Sequence, residues 1–238
     1  MPLDKINELY EDDDYVECLK RIEELPDECC VFKNTLKGNI YSSAEKKLHG
    51  FKSDYKKAAQ FYKIAAESGG VEAMIELSQA HYYGDGVKES YSKVYDYLKE
   101  ATIKDFDEAA REFISFLYDH PEYGEIGECA EVCERFCESE PSCCGNALVK
   151  LGRMYIRGSH GVHKNVCKAI GYFNRGRVLN HQNAIMDLAF LYAQGREVEK
   201  DLNLAEELAK KCSNHIMYED IMELLEQNKR NKKRSDPI

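Results

Sequence analysis

The chain has 238 residues, 43% hydrophobic and 32% charged, with 5 Pro, 15 Gly, 10 Cys, no Trp and a net charge of −10. That composition excludes a disordered or fibrous chain and is ample for a buried core. No apolar run approaches the roughly 20 residues a bilayer crossing needs, and the acidic balance argues against a general nucleic-acid binder.

The first residues, MPLDKINELYEDDD, have neither the basic nor the apolar region of a secretory signal, so a soluble, cytoplasmic chain with free thiols is expected. The segment INELYEDDDYVECLKRIEELP reads as two short helices joined at the acidic turn. Beyond it, three windows align: Ala73–Val87, Ala147–Val162 and Ala184–Val198. Their alanines start 74 and 37 residues apart, and Ala110 stands in the larger gap. With the alanine as position 1, apolar residues recur at positions 5, 8 and 9, the stripe of one helix face. Gly84, Gly158 and Gly195 follow it, where a left-handed C-cap belongs.

A second pattern interleaves with the first. Asp54–Gly69 (DYKKAAQFYKIAAESG) recurs at 90–105, 165–180 and 201–214, with Ala58 matching Val94 and Ala169 matching Ala205 at a spacing of 36. Asp54, Ser90, Asn165 and Asp201 open these segments as N-caps. Two apolar segments repeating at about 36 residues predict an array of helical hairpins. A final helix near 217–227, apolar at 217, 221, 224 and 225, is expected to close the array.

These windows resemble the Sel-1-like repeats, relatives of the tetratricopeptide repeats. ALVKLGRMYIRG matches the first half of that pattern at Ala147, Leu151, Gly152, Tyr155 and Gly158, and DYKKAAQFYKIAAESG matches the second half nearly throughout. The resemblance implies an all-α fold, a right-handed α-solenoid of stacked antiparallel helix hairpins. It divides the chain into N-terminal tetratricopeptide-like capping helices (1–48), the repeat array (49–214), a C-terminal capping helix (215–228) and a basic tail (229–238). The unit around 109–145 lacks the turn glycines, so its geometry stays open.

The tail carries a net +4, which leaves −14 of the overall −10 for the rest of the chain. It reads as a solvated end, with nuclear import left open.

The resemblance also implies a non-catalytic scaffold or adaptor that binds a peptide or protein in the concave groove lined by the first helices. Positions 4, 7 and 11 form a face apart from the buried stripe. They read Glu76, Gln79 and Tyr83, then Lys150, Arg153 and Arg157, then Asp187, Phe190 and Gln194. The wholly basic middle set suits an acidic peptide gripped by arginine. No hydrolase, zinc-protease, P-loop or dinucleotide motif occurs, so no enzyme, nucleic-acid ligand, membrane insertion or cofactor is expected.

The alternative is a metal- or redox-active protein centred on Cys129–Cys144. Cys129, Cys133 and Cys137 share one helix face, but Cys133 and Cys137 fall at packing positions of the repeat, where buried Cys acts as a small hydrophobe. A local bridge from Cys137 to Cys143 or Cys144, which the resemblance to cysteine-rich members raises, stays open. His160, His163 and Cys167 lie in a lengthened turn without an evident fourth ligand.

Overall fold

A computed structural model describes residues 2–12, 14–43, 53–212, 218–219 and 221–228. Every regular element among them is helical, with no strand. Backbone contacts divide the chain into two compact units, Met1–Leu117 and Tyr118–Ile238.

The first unit runs through α1 (Pro2–Glu11), α2 (Tyr15–Glu23), a 3₁₀ turn (Asp27–Cys29), α3 (Cys30–Ser42), α4 (Tyr55–Glu67), α5 (Val71–Tyr83), α6 (Tyr91–Lys104) and α7 (Phe106–Asp119), the last reaching the unit boundary. From α1 to α6 each helix packs on the next, and α3 also touches α5. The second unit holds α8 (Glu128–Ser139), α9 (Gly145–Arg157), α10 (Val166–Val178), α11 (Gln182–Gln194), α12 (Leu202–Lys210) and a helix over 221–228. Here too successive helices from α8 to α12 pack in order, and α9 also touches α11. Neighbour packing with first-helix to first-helix contact is the connectivity of stacked hairpins.

Three devices recur among the hairpins. The turn glycines Gly84, Gly158 and Gly195 adopt φ of 77°, 66° and 63° as C-caps of α5, α9 and α11. The backbone N–H that opens the second helix donates to the carbonyl at position 9 of the first. Asp54 thus bonds Tyr41, Ser90 bonds His81, Asn165 bonds Tyr155 and Asp201 bonds Tyr192, all within 2.8–3.1 Å. Position 9 also stacks its ring on the second helix: Tyr41 on Phe61 at 5.6 Å, His81 on Tyr97 at 5.9 Å and Tyr155 on Tyr172 at 5.7 Å. Such ring pairs contribute about 0.5–1.5 kcal/mol beyond their burial.

The helix α3 belongs to this series. It pairs with α4 through the Tyr41 carbonyl and ring, as α9 pairs with α10. The repeat pattern does not reveal it, because Lys33 and Lys37 stand at its positions 1 and 5. Lys37 is only 8% exposed. Its stem is buried, its ammonium lies 5.4 Å from the Phe61 ring centroid, and its tip pairs with Glu23.

The buried stripe is wider than the spacing suggests. Positions 2 and 6 join 1 and 5: Met74 and Ser78, Leu148 and Gly152, Ile185 and Ala189 are all buried. These helices are covered from two sides, by their own second helix and by the preceding one. In the last hairpin Leu191 and Tyr192 are only half-buried. The 221–228 helix reaches the same hairpin. Its Ile221 and Leu225 are buried, and Asn228 donates to the Ala193 carbonyl at 3.3 Å and accepts from Lys200 at 2.9 Å. Met217 and the basic tail, 229–238, lie outside the described residues.

The expected N-caps hold with one exception. Asp54, Asn165 and Asp201 accept backbone N–H bonds through their side chains, whereas Ser90 makes no side-chain cap bond. Asp54→Ala and Asn165→Ala should therefore each cost about 1 kcal/mol in urea unfolding, and Ser90→Ala should cost clearly less. Equal losses at Ser90 and Asp54 would contradict the cap assignments.

Candidate functional site

In the second unit, α9 and α11 lie side by side with α10 behind them. Gly152 makes this arrangement possible, since a methyl group there would overlap the Phe173 ring of α10. Phe173 forms part of a cleft of about 460 Å³ between α9 and α11, flanked by Ile156, Phe190 and Leu191. Polar residues complete the lining: Arg153, Arg157, Asp187, Gln194, Arg196 and Glu197.

The charges there are unequally matched. Arg153 forks onto Asp187, Nε to Oδ2 at 2.7 Å and Nη2 to Oδ1 at 3.2 Å, the bidentate geometry that fixes both groups. Burial pushes the Asp187 carboxyl up, and Arg153 opposes that shift. Glu197 is paired with Lys164 at 2.7 Å. Both carboxylates are thus neutralised within the protein. Arg157 and Arg196 have no ion-pair partner among the described residues.

Five of the six residues singled out on α9 and α11 line this one cleft: Arg153, Arg157, Asp187, Phe190 and Gln194. The sixth, Lys150, instead sits with its ammonium 4.5 Å from the Tyr118 ring centroid. Arg153, expected as a gripping residue, is held by Asp187. That pairing was hidden because a single helix pattern does not show that position 7 of one unit meets position 4 of the next. Phe173, Ile156 and Arg196 also went unnoticed. Phe173 reads as plain core on the second helix, and Arg196 follows the capping Gly195, outside the periodic segment.

The remaining trio lies in the first unit, on α5. Glu76 is half-buried, and burial, then the neighbouring Glu72, push its carboxyl up, while a hydrogen bond from Tyr62 opposes them. Gln79 is exposed, and Tyr83 is 70% exposed at the end of the helix.

None of the ten cysteines is joined in a disulfide. Cys129, Cys133, Cys137 and Cys144 are buried, Cys129 interacting with Cys133 and Cys137 with Cys144, while the Cys144 thiol donates to the Pro141 carbonyl at 3.4 Å. Its neighbour Cys133 holds the Cys129 thiol down, and Cys129, then burial, drive Cys133 up. Burial, then Cys144, pushes Cys137 to about 12, and burial, then Asp14, pushes Cys18 to about 11. Cys143 turns outward to Glu140 at 3.3 Å. His160 is used structurally, stacked 4.9 Å from Tyr118 and bonded to its carbonyl at 3.0 Å, while His163 and Cys167 are exposed. Among the described residues no group of three or more His, Cys, Asp or Glu is arranged to hold a metal ion. No helix among them is long and apolar enough to cross a membrane.

The family model of the Sel1 repeat matches residues 47–70, 71–105, 145–176 and 182–213, just over half of the chain. The chain belongs to the Sel1 repeat family. Between the second and third matches, 106–144 holds α7 and α8, where the turn glycines are missing. A solved Sel1 repeat protein from Oxalobacter formigenes is similar over 87% of this chain and 82% of its own, at 24% identity and a TM-score of 0.65. A second, c5321, is a protective antigen present in uropathogenic Escherichia coli strains and displays an SLR fold. It is similar over 83% of this chain at 19% identity and a TM-score of 0.58, and this chain spans about half (48%) of its length. At these identities the likeness is one of fold. No curated protein gives a significant match.

The cysteine environments of this Sel1 repeat chain lead to a titration prediction. In native protein a chromogenic disulfide should react promptly with Cys143 and Cys167, and with buried Cys18, Cys129, Cys133, Cys137 and Cys144 only after unfolding. Prompt reaction of all ten would contradict the burial. Cys18 and Cys137 titrate at about 11 and 12 when folded against the usual 9.0. Their contribution to stability is therefore complete below pH 9 and is lost as the pH rises through those values.

Proposed function

We propose that the protein is a non-catalytic interaction scaffold that captures a protein partner through the α9–α11 cleft, by an acidic peptide segment of that partner. Sel1 repeat proteins are generally protein-interaction scaffolds, and a groove between first helices is where such an array presents side chains free of packing duty. The observation that carries the reading is the charge imbalance of the cleft. Its two carboxylates are already paired, while Arg157 and Arg196, beside Phe190 and Ile156, form no ion pair among the described residues in a chain of net charge −10. Guanidinium groups at an apolar surface grip carboxylates bidentately and pack their planes on aromatic rings. In this reading Arg153 does not grip the ligand. It fixes the cleft by tying α9 to α11 through Asp187.

The array would then begin at α3, with α1 and α2 as its cap, and the 221–228 helix would close the other end.

The test is affinity capture from the native cell with mass spectrometry, comparing wild type with Arg157→Ala/Arg196→Ala. Loss of two charged contacts should weaken capture by about tenfold or more, with the fold unchanged by circular dichroism. Asp187→Asn should lower both stability and capture. Unchanged capture by the double variant would contradict the reading.

A further inference from the structure

The first unit contains a cleft of opposite character. It has a volume of about 600 Å³ and lies among α1, the start of α3, the start of α5 and the start of α7. Tyr10, Phe32, Leu36 and Val71 give it an apolar lining, and its charged residues are Glu28, Glu72 and Glu108. Among the described residues no cationic side chain lines it. None of the three carboxylates has an ion-pair partner among the described residues, and Glu72 only accepts a bond from the Asn39 amide at 3.1 Å. Desolvation, then Asp105 and Glu72, push the Glu108 carboxyl up, as expected where negative charge is gathered without a counter-charge.

A second observation is independent of charge. Thr35 lines the same cleft, is 6% exposed, and its hydroxyl has no hydrogen-bond partner among the described residues. Buried hydroxyls are nearly always satisfied, and leaving one unpaired costs about 1–3 kcal/mol. A methyl in its place would cost the free chain nothing, so the hydroxyl marks a point where a polar group of a bound molecule would enter.

We infer that this cleft binds a protein segment presenting a lysine or arginine beside a bulky apolar side chain. The apolar side chain packs among Tyr10, Phe32 and Leu36, the cation meets Glu28, Glu72 and Glu108, and a backbone group of the segment bonds the Thr35 hydroxyl. Charge complementarity selects this occupant, because an acidic segment would add repulsion to carboxylates that already lack a counter-charge. The cleft shares no residue with the Arg157 cleft, so either assignment can fail alone.

The test selects phage-displayed random dodecapeptides on the full chain, then titrates the most enriched peptide, fluorescein-labelled, against three proteins. These are wild type, Glu28→Gln/Glu72→Gln/Glu108→Gln, and Thr35→Val. Enriched peptides should carry Lys or Arg next to an aliphatic or aromatic residue. The triple variant should bind about tenfold more weakly and lose its salt dependence. Thr35→Val should bind about threefold more weakly while its urea midpoint stays the same or rises. Enrichment of acidic or purely apolar peptides, absence of enrichment, or affinity unchanged in the triple variant or in Thr35→Val would overturn the assignment. Self-association of wild type that the triple variant abolishes would place a second copy in the cleft and overturn it as well. Arg157 and Arg196 are intact in all three proteins, so the outcome is separate from that of the acidic-peptide cleft.

Discussion

The hairpins depend on how closely their two helices approach, and that distance is set by one small residue facing one large one. A side chain at Gly38 would overlap the Tyr62 ring, and one at Gly152 would overlap Phe173. The corresponding positions of the other hairpins hold Ser78 with Leu98 and Ala189 with Ala209, all buried. Where the second helix brings a ring, the first helix gives up its side chain; where the partner shrinks, Ser or Ala suffices. Interiors at near-crystalline density admit little else. The close approach lets the N–H that opens the second helix reach the carbonyl at position 9, and lets the position-9 ring lie flat on the next helix.

Function follows from what this packing leaves over. Covering α5, α9 and α11 from two sides consumes their positions 1, 2, 5 and 6, so the side chains toward the next first helix are those free to differ between units. Within the second unit that residue set became an Arg153–Asp187 clamp with two unmatched guanidinium groups beside it. In the first unit, carboxylates from a 3₁₀ turn and two helix starts, Glu28, Glu72 and Glu108, gather around Thr35 without a counter-charge among the described residues. A regular scaffold thus carries two clefts of opposite charge without any change to its packing rules.

The repeat itself was legible because its signals are local. Glycine after a helix means a left-handed cap, aspartate before one means an N-cap, and alanine every 36 or 37 residues marks the hairpin step. Helix α3 was not legible, since a lysine replaces the leucine at position 5 and its burial depends on Glu23 and Phe61, which only the folded chain brings near. Gly38 and Tyr41, spaced like Gly152 and Tyr155, were the available clue. The site was half legible. Face periodicity gathered Arg157, Phe190 and Gln194, but it could not see that Asp187 would take Arg153, nor that Lys150 would settle over Tyr118. Such pairings depend on the stagger between neighbouring helices, which sequence spacing within one helix does not encode.

The most direct test of the packing constraint is a double-mutant cycle on Gly152 and Phe173, read by equilibrium urea unfolding. Helix propensity alone would make Gly152→Ala stabilising by about 1 kcal/mol. Overlap with the ring instead predicts destabilisation by about 1–3 kcal/mol. The loss should shrink by about 1 kcal/mol or more when Phe173→Leu removes the ring. A stabilising Gly152→Ala, or strictly additive single substitutions, would contradict the account.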